Sequence, residues 1–382
     1  MKILFTGGGT GGHFYPIIAI AEAIYEKAKE RKILTPKLYY MAPTKYNPRA
    51  LFDNDMEFIP ISAGKIRRYF SILNFFDLFK TFSGVISAIL KLYHLYPDIV
   101  VGKGGYASFP ALFAAKILRI PVIIHESDSS PGRVNRWAGK FAQKIAISYP
   151  EAAEYFDKSK VAFTGNPIRK EIIAPLSNGA REFLNLEENT PVVFVIGGSQ
   201  GSQKINDSVI DGLVELTSKY QVIHQTGKNN FKSVKETAEV IFKGSGQGNI
   251  QKSKFAYRYH PFDYLDILAL RMSAGISDIV ISRAGSSIFE ISSWGLPSII
   301  IPLSEEVSHD QTKNAFSYAR SGACTVIEEH NLNSHILISE IDRILNNQHI
   351  KDRMRQEARD FSHIDAAGKI AEVILEIGLK HE

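Results

Sequence analysis

The sequence predicts an α/β protein made of two doubly wound domains, and three observations predict it. An apolar strand, Lys2-Ile3-Leu4-Phe5-Thr6, breaks into the glycine loop Gly7-Gly8-Gly9-Thr10-Gly11-Gly12 and then into a helix. About half a chain later the same pattern returns, with the buried-strand run Val192-Val193-Phe194-Val195-Ile196 followed by Gly197-Gly198-Ser199-Gln200-Gly201-Ser202 and a helix from near Lys204. The segments Asp98-Ile99-Val100-Val101-Gly102-Lys103-Gly104-Gly105 and Asp278-Ile279-Val280-Ile281-Ser282-Arg283-Ala284-Gly285 also align without a gap. Glycine loops at strand ends line the ligand crevice in such sheets, so loops of both halves are expected to face one cleft between the domains.

Each element follows in order. Residues 15–24 carry apolar side chains on a 3.6 period, so the first glycine loop feeds a helix N-terminus. Loop amides and the helix dipole suit an anion or a developing negative charge. His13 sits at the mouth of that loop, where it is either a base toward a substrate hydroxyl or a cap of the helix. The second strand, Lys37-Leu38-Tyr39-Tyr40-Met41, is followed by Ala42-Pro43-Thr44-Lys45, which lacks the acid a dinucleotide ribose requires. Asp53-Asn54-Asp55 precedes the strand Phe58-Ile59-Pro60 instead of ending one, and reads as a solvated turn; no metal and no cofactor is expected.

Residues 65–94 are greasy and basic. Arg67 and Arg68 open a stretch containing Phe75, Phe76, Phe79 and Phe82, with Asp77 the only acid. There are more large apolar side chains than one buried stripe accommodates, so Arg67, Arg68, Phe75, Phe76 and Phe79 are expected to contact an anionic membrane surface. After the repeat, helices over 108–118 and 286–294 lead to the strands Ile120–His125 and Leu296–Pro302, which run into loops carrying Glu126 and Glu305. A last strand at Val161-Ala162-Phe163 and the linker Gly165-Asn166-Pro167-Ile168-Arg169 divide the chain into domains 1–165 and 166–363. The C-terminal segment 364–382, amphipathic over 366–379, is expected to pack back on the first domain.

Length and composition fit two soluble domains: 382 residues, 45% hydrophobic, net charge +5. The single cysteine, Cys324, excludes an intrachain disulfide and argues against a cysteine metal site. Met1-Lys2 enters a strand directly, so no cleavable signal is expected, and no run is long enough to span a bilayer. The positive charge would also suit nucleic acid, but no recognisable module for it is present.

Six ordered motifs, Gly9-Thr10-Gly11-Gly12-His13, Gly102-Lys103-Gly104-Gly105-Tyr106, His125-Glu126, Gly165-Asn166-Pro167, Gly197-Gly198-Ser199-Gln200-Gly201 and Arg283-Ala284-Gly285, make the chain resemble the MurG family of peptidoglycan glycosyltransferases. The resemblance runs from Gly7 to about Ala323. It implies the GT-B fold and an inverting transfer of N-acetylglucosamine from UDP-N-acetylglucosamine to the 4-hydroxyl of the muramoyl unit of an undecaprenyl-linked lipid I. That reaction places the chain peripherally at the cytoplasmic face of the membrane, beside other cell-wall synthesis proteins.

The resemblance also implies roles. Glu290 accepts both ribose hydroxyls, Arg169 and Ser199 contact the donor phosphates, Gln200 binds the donor beside them, and Gln311 reads the sugar. Backbone near the start of a helix around Phe262 holds uracil. Gly285 and Ser286 border the donor, and Thr10, Gly11 and Gly12 reach it from the first glycine loop. His13, Gly104, Tyr106, Glu126 and Asp128 take the acceptor, with His13 the general base and Glu126 the next candidate. Two departures stand out: Asp128 replaces an asparagine found in many members, and 285–290 is one residue shorter than the common pattern. The alternatives are a UDP-N-acetylglucosamine 2-epimerase, another GT-B transferase acting on a lipid, or a nucleotide-sugar-binding membrane adaptor.

Overall fold

The computed structural model describes residues 1–64, 73–198, 201–244, 255–304 and 309–381. Two compact units emerge, Met1–Arg169 with His363–Glu382, and Lys170–Ser362. Each is built on a parallel sheet.

The first unit holds seven strands: β1 (Lys2–Thr6), β2 (Lys37–Ala42), β3 (Met56–Pro60), β4 (Ile99–Gly102), β5 (Val122–Glu126), β6 (Lys144–Ile147) and β7 (Val161–Phe163), in the order β3-β2-β1-β4-β5-β6-β7. Alternate side chains of β1 enter different cores. Ile3 and Phe5 join Ile17, Ile24 and Ile374 on one face, while Leu4 joins Met41, Val100 and Ile124 on the other. That two-sided burial explains why the strand reads as an unbroken apolar run. Helix Ala366–His381 supplies Ile370, Ala371, Ile374 and Leu375 to the core shared with helix Gly11–Glu30, and Arg31 pairs with Glu372 at 2.7 Å.

The second unit holds β8 (Val192–Ile196), β9 (Gln221–Gln225), β10 (Tyr259–Phe262), β11 (Ile279–Ser282), β12 (Ser298–Ile300) and β13 (Cys324–Val326), ordered β10-β9-β8-β11-β12-β13. In both units the strand order reverses beside the first strand, between β1 and β4 and between β8 and β11. Carboxyl ends of the strands at such switch points are where ligands bind.

The repeat seen in the sequence has a structural counterpart at atomic detail. Asp98 accepts the Lys2 amide at 2.6 Å and returns its own amide to the Lys2 carbonyl at 2.9 Å. Asp278 treats Val192 in the same way, at 3.1 and 2.9 Å. Each aspartate therefore fixes the register of the two strands that flank its switch point.

Candidate functional site

The first unit gathers its polar groups where β1, β4 and β5 end. Thr10 precedes helix Gly11–Glu30, and its hydroxyl lies 2.9 Å from His13 Nδ1, so His13 is tied to the loop through its side chain and does not cap the helix. The Nε2 edge of His13 turns toward Gly105, whose missing Cβ would sit 3.6 Å away. Gly104 has φ +88°, and a Cβ there would lie 2.7 Å from Asn135 Nδ2, so only glycine lets the loop pass this amide.

Glu126, 4% exposed, ends β5. Its Oε1 accepts the Asp128 amide at 2.9 Å; its Oε2 accepts the Gly132 amide at 3.2 Å and the Asn135 side chain at 2.9 Å. Both oxygens are thus engaged in shaping the 127–132 loop that carries Asp128. Burial and the neighbouring Asp128 push Glu126 up to about 7, against the pull of Lys103 and of its amide donors. His125 beneath it meets the Gly165 carbonyl at 3.1 Å and the Ser148 hydroxyl at 3.2 Å, anchoring β5 to the end of the unit.

Burial and the Lys103 ammonium lower His13 to about 4, with Asp128 pulling the other way. The imidazole is consequently neutral throughout the physiological range. Tyr40 donates to the Gly7 carbonyl at 2.7 Å, so the end of β2 presents a buried phenol instead of the acid a dinucleotide needs. Asp53 closes a short helix, Pro48–Asp53, and Asp55 takes a left-handed turn before β3.

In the second unit, after β8, the Gly201 amide donates to the Gly198 carbonyl at 3.0 Å. Gly201 has φ +75° and packs on the Thr226 carbonyl, where any Cβ would collide. Over Gly198 and over Gly285, by contrast, a Cβ would meet none of the described residues within 4 Å, at the carboxyl ends of the adjacent strands β8 and β11. Glu290 stands in the first turn of helix Ser287–Trp294, half-buried, with Ser286 at its N-cap. Gln311, on helix His309–Arg320, uses Oε1 to accept the Leu303 amide at 3.2 Å, which leaves its NH2 group as a donor.

Two placements differ from the sequence reading. Phe262 closes β10, and its carbonyl accepts both the amide and the hydroxyl of Thr226, at 2.9 and 3.1 Å; the following helix begins at Ile267, capped by Asp266. Arg169 groups with the first unit, its guanidinium 4.2 Å above the Tyr15 ring. Ser199, Gln200, Arg67, Arg68 and Glu305 lie outside the described residues.

Supporting side chains had no role in the sequence reading. Arg283 donates to the Ile301 and Pro302 carbonyls at 3.2 Å, to Ser202 at 2.6 Å and to Glu329 at 2.5 Å, so one guanidinium joins the loops after β8, β11 and β12. Gln225 bridges Gly198 and Leu265 at 3.2 and 3.0 Å. Lys103 lies within the Gly102-Lys103-Gly104-Gly105-Tyr106 motif. It is 2% exposed, and its Nζ finds no hydrogen-bond partner among the described residues.

Helix Leu73–Leu95 settles which of its side chains are core. Ala88 and Leu92 are buried, whereas Phe75, Phe76, Phe79 and Phe82 are 56–65% exposed, and Ile86, Leu90 and Tyr93 continue the exposed apolar surface. Asp77 turns inward. Among the described residues no helix is long and apolar enough to cross a membrane.

Two parallel α/β units, each with a glycine loop at the end of its central strand, make up the GT-B fold. Residues 3–147 match the glycosyltransferase family 28 N-terminal domain and residues 192–370 its C-terminal domain. The chain belongs to glycosyltransferase family 28. It is 37% identical over 359 residues to the UDP-N-acetylglucosamine--N-acetylmuramyl-(pentapeptide) pyrophosphoryl-undecaprenol N-acetylglucosamine transferase of Treponema denticola, covering 88% of this chain and 86% of the relative. A relative of the same name from Clostridium novyi is 37% identical over 348 residues, 90% of each. Among solved structures, Acinetobacter baumannii MurG superposes with a TM-score of 0.71 at 21% identity, covering 98% of this chain and 99% of that one. A UDP-GlcNAc 2-epimerase from Neisseria meningitidis reaches 0.66 at 16% identity, with both chains fully covered. Both structural likenesses speak to the fold alone.

Proposed function

We propose that this chain transfers N-acetylglucosamine from UDP-N-acetylglucosamine to the 4-hydroxyl of the muramoyl unit of lipid I, with inversion at the anomeric carbon. The observation that carries this reading is the match over nine-tenths of the chain to relatives whose names state that reaction. The fold does not separate a transferase from an epimerase, since both superpose on it. The names of the relatives and the exposed aromatic face of helix Leu73–Leu95 favour a lipid acceptor.

On the donor side, Glu290 offers two acceptor oxygens to the ribose diol, and the Gln311 NH2 group donates to sugar hydroxyls. Open backbone at Gly198 and Gly285 admits the diphosphate to loop amides and to the N-terminus of the helix carrying Glu290. Ser199, Gln200, Gly285 and Ser286 belong to the same loops, and Arg169 supplies a charge-assisted bond to the departing UDP. Phe262 enters through backbone near uracil.

On the acceptor side, Gly104 and Tyr106 shape the subsite around His13, while Thr10, Gly11 and Gly12 contact the donor. His13 takes the hydroxyl proton at Nε2 while Thr10 orients the ring through Nδ1. Asp128 acts on His13 electrostatically and favours the imidazolium that forms. Glu126 pins the loop that delivers Asp128. Phe75, Phe76, Phe79 and the flanking Arg67 and Arg68 hold the chain peripherally on an anionic cytoplasmic membrane face.

The test is transfer of radiolabelled sugar from UDP-N-acetylglucosamine to a lipid I analogue, with UDP-glucose and UDP-N-acetylgalactosamine as competitors. Labelled product that neither competitor suppresses at equal concentration supports the reading. Failure to label the acceptor, or conversion of the donor to its C2 epimer, refutes it.

A further inference from the structure

The carboxyl end of β9 is where two loops of the second unit meet. Gln225, the last residue of that strand, is 5% exposed, and both ends of its side-chain amide are engaged. Its Nε2 donates to the Gly198 carbonyl at 3.2 Å, and its Oε1 accepts the Leu265 amide at 3.0 Å. The reverse orientation would set oxygen against a carbonyl and NH2 against an N–H, so the partners fix which way the amide points. One side chain therefore joins the loop after β8 to the turn between β10 and helix Ile267–Ile276.

The next residue holds the same two pieces through other atoms. Thr226 gives its amide and hydroxyl to the Phe262 carbonyl at 2.9 and 3.1 Å, so the 262–265 turn is gripped at its first and last residues. The Thr226 carbonyl accepts the side-chain amides of Asn206 at 3.0 Å and of Asn230 at 3.2 Å, and Gly201 packs directly on it. Asn206 therefore turns Oδ1 to the buried His224 at 3.0 Å, which puts the proton on His224 Nε2 and makes Nδ1 the acceptor of the Tyr259 hydroxyl at 2.9 Å. Gln225 thus stands on a strand end that cannot shift without breaking buried bonds.

In the strand order β10-β9-β8-β11, the turn after β10 and the loop after β8 lie two strand spacings apart, about 10 Å. That is the scale of an extended nucleotide from its base to its diphosphate. We propose that Gln225 is a positioning residue for the nucleotide, setting the distance between the turn that meets the nucleobase and the glycine loop that meets the diphosphate before a nucleoside diphosphate arrives. The inference rests on the donor reading above, in which Phe262 lies near uracil and the loop after β8 near the phosphates. Without the bridge each loop would still take its own part of the ligand. A ligand that spans both would then have to bring them into register, and its affinity would fall by that ordering.

Calorimetry with UDP and with uridine, on wild type, Gln225→Met and Gln225→Asn, tests it. Methionine removes both bonds at nearly the same volume, and asparagine keeps the amide but is one methylene too short to hold both partners. In each variant the preference for UDP over uridine is expected to fall about tenfold, the scale of a lost pre-ordering contact. A preference that stays as in wild type, whether the two affinities fall together or not at all, shows a general supporting role and overturns the proposal. Hydrogen exchange on wild type, read by NMR, needs no variant to fold. The Gly201 amide shares the Gly198 carbonyl with Gln225, so uridine, which carries no phosphate, is expected to slow its exchange together with that of the Leu265 amide. Slowing at Leu265 alone overturns the proposal. If wild type binds neither UDP nor uridine, the donor reading falls and this inference with it; if it binds them and the variants match it, only the role of Gln225 falls.

Discussion

Asn135 donates its side-chain amide to Glu126 Oε2 at 2.9 Å and to the His125 carbonyl at 3.1 Å, so one residue of a short helix, Arg133–Ala138, locks the end of β5. The carboxylate it holds is buried and raised from 4.5 to about 7. A carboxyl whose pKa is higher in the fold than in the unfolded chain contributes stability below pH 4.5 that is lost as pH rises through about 7. Relative to Glu126→Gln, which has no such titration, wild type is therefore expected to lose unfolding free energy across that window. Urea unfolding at pH 4.5, 6 and 8 checks it, and a constant difference between the two proteins would contradict it.

His13→Ala is expected to lower kcat by about 10² to 10⁴, the usual scale for one general base, with UDP affinity nearly unchanged. Because burial and Lys103 lower His13 to about 4, an acidic limb at higher pH should persist in His13→Ala. A mainly raised acceptor KM would instead mark His13 as an orienting group.

Glu290→Ala should weaken UDP binding by roughly 1.5–3 kcal/mol, the scale of hydrogen bonds to a charged group, while circular dichroism stays native. Calorimetry with UDP measures it, and unchanged affinity would remove Glu290 from the ribose.

Replacing Phe75, Phe79 and Phe82 with serine should leave the fold intact, since all three side chains are more than half exposed. Binding to anionic vesicles is expected to fall, while turnover of a short-chain soluble acceptor is spared. Vesicle sedimentation decides between this and a docking surface elsewhere on the chain.

Arg283→Met leaves the Glu329 carboxylate with the Ser304 amide but no cation, and frees three loops. Breaking a buried pair of this kind typically costs about 3–5 kcal/mol. The second unit should melt earlier and UDP binding should weaken with it; a melting temperature unchanged by the substitution would show that other contacts hold those loops.

The strands, the two glycine loops and the internal repeat were legible in the sequence because each rests on local chemistry: apolar runs for strands buried on both faces, glycines where the backbone turns left-handed, and an aspartate repeated at both switch points. The resemblance carried by the motifs named the family. Tertiary structure alone decided which residues of helix Leu73–Leu95 are core, since Ala88 and Leu92 turn inward and the phenylalanines outward only once the helix packs on its neighbours. It also decided that Phe262 ends a strand, that Arg169 stacks on Tyr15, and that Arg283 ties three loops together. Lys103 shows the reason most plainly. A lysine in a sequence reads as solvated, and whether it is instead buried depends on residues far along the chain that folding brings to the same strand ends.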